Sequence, residues 1–238
     1  MDWGWILDHL DALAFRTAQH LYLTVIALAI GFVISFALAL IAVRQRRLYP
    51  PIAGLASIVF TIPSLALFAA FISITGISVW TAEIPLILYT FVMYVRNIVA
   101  GFDSVPAEVR EAADGMGYGR MTRLWRIELP LAIPLIVAGV RVASVSTIGL
   151  VTITGILGDS LGGLGFFIFE GIQRGYFATE MLLGAVPSII LALVVDRVLV
   201  WIQGRLTPWT RVGGGGPSPA DGPAPAAGGP PLDAGALA

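Results

Sequence analysis

Cysteine and lysine are both missing from the 238-residue chain, and histidine occurs only at His9 and His20. Without cysteine there is no disulfide framework, no thiolate metal site and no lipid-bearing cysteine. Two histidines cannot build a histidine metal cluster, so neither a metal site nor a cofactor is expected. All fourteen basic residues are arginine. The phosphate loop of an ATPase ends in a lysine that reaches the phosphates, so this chain does not bind ATP by that device. Charge is scarce as well: 12% of residues, against about 25% in a soluble domain, with a formal net charge of -1. That excludes an ordinary globular enzyme, and the absence of a dense basic stripe excludes nucleic acid as a partner. What fills the chain instead is apolar: 57% hydrophobic residues and a mean hydropathy of +0.88.

The hydrocarbon core of a bilayer, about 30 Å thick, takes about 20 apolar helical residues. Five segments qualify, at 21–43, 52–75, 84–100, 131–154 and 181–202, and predict an all-α integral membrane protein, a five-span helical bundle in contact with lipid. Arg44, Arg46 and Arg47 stop the first span, and Pro63 interrupts the second. Arg96 and Asn97 lie near the end of the third, Arg141 lies inside the fourth, and Asp196 and Arg197 lie near the end of the fifth. Residues 1–20 carry Asp2, Asp8, Asp11 and Arg16 ahead of any long apolar run, and read as a short extracytoplasmic segment, not a signal peptide. Eleven of the fourteen arginines fall on one side of the bundle, Arg16 and Arg174 on the other, and Arg141 inside. The positive-inside rule then predicts a multi-pass protein of the cytoplasmic membrane with its N-terminus outside and its C-terminus inside. Residues 212–238, almost wholly Gly, Pro and Ala, read as a disordered cytoplasmic tail that transport does not need. No internal repeat is visible, which argues against the inverted-repeat carriers.

The stretch 101–130 is too long for a plain connection. Asp103 and Ser104 are capping residues, Pro106 suits a first helical turn, and 108–113 is a good helix former. Gly115, Gly117 and Gly119 break that helix, and 120–126 predicts a second short helix ending before Pro130. Two short helices about a glycine turn, held just under the membrane, form a docking knob.

Glu111-Ala112-Ala113, three residues, Gly117, nine residues, then Ile127-Glu128-Leu129-Pro130 reproduces the E-A-A-x3-G-x9-I-x-L-P signature. The chain resembles the permease subunits of binding-protein-dependent ATP-binding-cassette importers, with their type-I transmembrane topology over 21–211. The resemblance implies that 101–130 is the coupling loop, with Glu111, Ala112, Ala113, Gly117, Ile127, Leu129 and Pro130 as coupling residues. The partners it implies are cytoplasmic ATPase subunits, a second permease (identical or homologous) and an extracytoplasmic solute-binding protein. On that reading the chain is a transport subunit and no enzyme, ATP being hydrolysed on a separate subunit. Thr61-Ile62-Pro63-Ser64-Leu65-Ala66-Leu67, Gly162-Gly163-Leu164-Gly165 and Gly184-Ala185-Val186-Pro187 are similar to the branch that carries osmoprotectants such as glycine betaine, choline, carnitine and proline. Methionine or an organic anion is the alternative cargo. An ATP-independent carrier or channel, or a scaffold that transports nothing, is a rival that leaves the signature unexplained.

Several spanning residues carry two readings. Arg141, about 15 Å into its span by helical rise, is either a path or gate residue or half of a structural pair, with Asp196 or a backbone carbonyl as the partner. Pro63 and Ser64 make either an unwound, path-lining kink or a plain bend. Asn97 is a path candidate, and the neighbouring Arg96 is accounted for by snorkelling. Ala27, Gly31, Ser35 and Ala39 form a small-residue stripe suited to close packing. Ser144, Ser146, Thr147, Thr152 and Thr154 give the fourth span a polar face that either lines a path or bonds between helices. Tyr22, Trp80, Tyr89 and Tyr94 are candidate cation–π partners, Trp80 doubling as an interfacial anchor at the end of the second span.

Overall fold

In a computed structural model, which describes residues 2–208, the chain is helical with no strand among the described residues. A short helix, α1 (Trp3–Asp8), precedes the 35-residue α2 (Leu10–Arg44). A single 3-10 turn leads into α3 (Tyr49–Thr61) and α4 (Ser64–Thr75), followed by α5 (Val79–Asp103). Then come α6 (Ala107–Gly115), α7 (Arg120–Arg123), a wide turn over Leu124–Glu128 and α8 (Leu129–Val151). A 3-10 segment, the short α9 (Gly165–Gln173) and α10 (Ala178–Leu206) complete the fold. Four stretches are long and apolar enough to cross a bilayer, and the broken pair α3–α4 makes a fifth if the two helices are counted as one span.

Three boundaries differ from those expected. The first helix starts at Leu10, so residues 10–20 are its outer turns and not a loose segment. The second span is two helices meeting at 92° about Ile62–Pro63. The helix starting at Arg120 does not end before Pro130 but continues through the wide turn into α8, where Pro130 occupies the first turn and needs no N–H partner. Trp80 accordingly opens α5 and does not close the second span. The expected tail, 212–238, lies outside the described residues.

Helix α5 is the centre of the 1–206 unit, with α2 and α8 packed against it. Lipid tails are as apolar as leucine, so close contact decides which spanning helices associate. The stripe Ala27, Gly31, Ser35 and Ala39 is buried as expected, and a Cβ on Gly31 would run into the Thr90 hydroxyl of α5. On the other side of α5, a Cβ on Gly139 would stand 2.5 Å from the Asn97 Cβ, and one on Gly101 would stand 2.9 Å from the Ala132 carbonyl oxygen. Leucine or valine at these points would force the helices apart.

Two clusters of polar groups lie at opposite ends of the bundle. At one end Arg16 of α2 pairs with Asp159, Gln19 bonds the Ser160 carbonyl (2.6 Å) and the Gly163 N–H (2.9 Å), and Arg16 lies 4.0 Å over the Phe166 ring. His20 bonds the Ile148 carbonyl at 3.0 Å and accepts from the Leu164 N–H at 3.3 Å. At the other end Arg46 pairs with Asp103, and Arg44 reaches the Met121 sulfur at 3.3 Å. Between them, residues 21–43 rise about 35 Å as helix, enough for the hydrocarbon core.

Candidate docking site and membrane path

At the Arg44 end, α6 and α7 form the expected knob. Helix α6 ends in a Schellman motif: the Tyr118 N–H donates to the Ala113 carbonyl (3.1 Å), and the Gly117 N–H donates to that of Asp114 (3.0 Å). The motif needs a left-handed residue, and Gly117 supplies it at φ +81°. Nothing lies within 4 Å of a Cβ placed there, so conformation selects glycine at this position and space does not. Glu111 and Ala112 face outward, and Ala113 is buried. Among the described residues Glu111 has no ion-pair partner, which leaves its carboxylate free for another protein. Exposed Met116, Met121 and Trp125 ring the knob with apolar surface. Ile127, Leu129 and Pro130 are half-buried, and Leu129 packs on the core formed by α2, α5 and α8. The signature therefore runs from an outward-facing half on α6 to a core-facing half at the start of α8.

Arg123 joins the two halves. Its Nε donates to Glu128 Oε1 at 2.7 Å, and its Nη1 donates to Asp114. The bond to Glu128 first, and then Asp114, raises the guanidinium above its ordinary value. A hollow of about 800 Å³ opens beside it, bordered by Val43, Arg44, Asp114, Arg120 and Met121. The sequence reading missed this triad. Its signal was Glu128, the one charged residue between the apolar Ile127 and Leu129.

The path candidates separate. Pro63 and Ser64 sit at the α3–α4 break, where Thr61, Ile62 and Pro63 are exposed. The Ile62 carbonyl, left without a helical N–H, accepts from the Tyr89 hydroxyl. A hollow of about 390 Å³ lies there, lined by Phe60, Pro63, Ser64, Tyr89, Met93 and Ser146. Arg141 pairs with Asp196 of α10, nitrogen to oxygen at 2.9 Å, beside a second hollow of about 380 Å³ that also reaches Ser146. Arg141 is thus both paired and next to a hollow, the placement that each of its two readings requires. Asn97 belongs to neither hollow: it is wedged against Gly139, and its amide donates to the Met93 carbonyl at 2.7 Å. Arg96 bonds the Ser57 hydroxyl at 2.9 Å, tying α5 to α3. Of the five hydroxyls expected to form a polar face, Ser146 alone borders these hollows. Ser144 and Thr152 bond carbonyls of their own helical segment, Thr154 bonds the Val151 and Leu161 carbonyls, and Thr147 is buried. Tyr94 is buried, Tyr89 is buried beside the hollow at the α3–α4 break, and Tyr22 and Trp80 are exposed.

A polytopic helical bundle with a two-helix knob at its arginine-rich end defines a multi-pass membrane subunit. A family model described as "Binding-protein-dependent transport system inner membrane component" matches residues 31–212, and the chain belongs to that family. It is 36% identical over 209 residues to the osmoprotectant import permease protein OsmW of Salmonella typhimurium, covering 86% of this chain and 96% of that one. It is 34% identical over 196 residues to the glycine betaine/carnitine/choline transport system permease protein OpuCB of Bacillus subtilis, covering 82% and 89%. The fold matches a chain of the inward-facing MetNI methionine ABC transporter with a TM-score of 0.72, at 22% identity, over 87% of this chain and all of that one.

Proposed function

We propose that the chain moves an osmoprotectant of the glycine betaine, choline, carnitine or proline type across the cytoplasmic membrane as the permease subunit of an ATP-driven importer. The observation that carries this is the knob: a partner-facing helix with a free carboxylate, closed by a glycine cap and fused through α7 to a spanning helix. The cargo class is supported by the names of the two relatives. The chain works as a pair of permeases, identical or homologous, on two cytoplasmic ATPase subunits, and an extracytoplasmic binding protein delivers the solute. ATP binding draws the ATPases together, the α6 knobs follow, and the spans rock from inward-open to outward-open. The N-terminus lies outside and the Arg44 end inside.

The α3–α4 break marks the path. Thirteen residues of α3 rise about 20 Å from the cytoplasmic end, which brings Ile62–Pro63 close to mid-membrane. Irregular backbone survives at that depth only if protein covers it or a water-filled cavity wets it. Thr61 to Pro63 are exposed in the single chain, so this face belongs toward the second permease and the aqueous route between the two, with Ser64, Ser146 and Arg141 along it.

Reconstitution of the chain with its ATPase and binding protein in vesicles tests the reading. Labelled glycine betaine should enter only with ATP, and choline or carnitine should compete while methionine does not. Uptake of methionine or an organic anion instead would reassign the cargo. Uptake without any ATPase would make the chain a carrier.

A further inference from the structure

We propose that Arg123 is a positioning residue that converts movement of the α6 knob into movement of α8, by holding one carboxylate on each side of the Gly117 turn. The proposal rests on the coupling reading above and deepens it.

Asp114 is the next-to-last residue of α6, and Glu128 is the last of the wide turn that runs into α8. Arg123 lies between them and bonds both, through Nη1 and Nε respectively. Backbone bonds of the Schellman motif close the turn, and among the described residues the Arg123–Asp114 pair is the side-chain bond that runs between α6 and α7. Four residues join them, two of them glycine, and nothing lies within 4 Å of a Cβ placed on Gly115, Gly117 or Gly119. The fork of the guanidinium supplies the rigidity that side-chain packing does not.

The wide turn makes the clamp possible. Residues five apart in an α-helix point about 140° away from each other, and Arg123 and Glu128 are five apart. Widening the helix by i→i+5 bonding over Leu124–Glu128 brings the two side chains to the same side. Such turns recur at functional sites, and here the turn has a mechanical use. Glu128 is also buried, so an uncompensated carboxylate would be left inside the protein if Arg123 withdrew. At its other end α6 is tied to α5, because Arg110 donates to the Phe102 carbonyl. The knob is thus fastened to both central spans, to α5 through Arg110 and to α8 through Arg123. Force on the exposed face of α6 reaches the membrane through these two attachments.

The test uses the full complex in vesicles, measuring ATP hydrolysis and labelled glycine betaine uptake on the same preparation. For Arg123→Gln, solute moved per ATP hydrolysed should fall about tenfold, while hydrolysis continues. Asp114→Asn cuts only the arm across the turn and should lower the ratio in the same direction. The double variant should lose no more than Arg123→Gln alone, since the bond that Asp114→Asn removes is already lost with the arginine. Arg123→Lys keeps the charge without the fork and should recover part of the ratio. If Arg123→Gln does not assemble, Asp114→Asn carries the test, its carboxylate being half-exposed. A purely stabilising arginine would lower uptake and hydrolysis in parallel with the amount of complex, and a wild-type ratio would overturn the proposal. Gly117→Val separates the two levels. If it uncouples the complex while the Arg123 and Asp114 variants keep the wild-type ratio, the clamp fails and the coupling reading stands. If Gly117→Val is itself fully coupled, the coupling reading falls.

Discussion

At the scale of single residues, the structure changes the reason for a residue more often than its identity. Gly117 was expected as the turn between two short helices, and the turn is there, but the selecting force is the left-handed backbone and not tight space. That distinction is measurable. Asparagine tolerates positive φ and β-branched residues do not, so Gly117→Asn should keep most uptake, whereas Gly117→Val should insert normally and lose it. Equal loss in both variants, with normal membrane levels, would show that bulk at the partner interface decides. Arg141 illustrates the opposite case, in which the sequence supplied two readings and the observed partner leaves a choice that experiment can make. With Asp196 at 2.9 Å, removing the arginine alone leaves a carboxylate within the membrane and should destabilise the chain by about 1–3 kcal/mol. The double variant Arg141→Ala with Asp196→Ala should recover much of that loss, read as membrane level and thermal stability of the purified complex. If both variants reach wild-type levels yet transport nothing, the pair serves the path and not the fold.

At the scale of elements, hydropathy located the four long apolar helices and the broken α3–α4 pair, because 20 apolar residues in a row have few other uses. It failed at the ends and at the break, where tertiary partners decide. Helix α2 runs eleven residues beyond the apolar segment since Arg16, Gln19 and His20 find partners in the loop at 159–164 and in α8. No local pattern announces those bonds. Pro63 was legible as an interruption, yet a proline does not dictate a 92° bend. The bend is held because Tyr89, a helix away, satisfies the Ile62 carbonyl. Tyr89→Phe keeps the ring and removes the donor. It should destabilise the break by about 1 kcal/mol and reduce uptake while the amount of inserted protein stays near wild type. Unchanged uptake in that variant would show that the α3–α4 angle holds without the hydroxyl. The coupling knob was legible for a different reason: caps, prolines and glycines act locally, so helix, turn and second helix could be read in order. The Arg123 clamp was not, since it depends on a widened turn that composition does not reveal.

At the scale of the whole molecule, the arrangement of polar ends gives a topology that one experiment can check. Arg16, Gln19 and His20 gather with 159–164 at one end, and Arg44, Arg46 and Asp103 gather with α6 and α7 at the other. The ends are separated by residues 21–43 of α2, which are apolar over about 35 Å, so they lie on opposite sides of the bilayer. Which side is which follows from the arginine asymmetry, eleven against two, and from the cost of translocating short arginine-rich loops. The absence of native cysteine makes the chain its own blank for thiol labelling. Ser104, between α5 and α6, and Ser160, in the loop bonded by Gln19, are both exposed and lie at opposite ends. In intact cells an impermeant maleimide should label Ser160→Cys and spare Ser104→Cys, and permeabilisation should make the second react as fast as the first. Both substitutions exchange one small side chain for another at the surface, so neither should alter folding, and uptake by each variant verifies that. The reverse pattern would put the α6 knob outside the cell, away from any ATP. The Glu111 face could then have no ATPase to meet, and the coupling reading would fall together with the orientation.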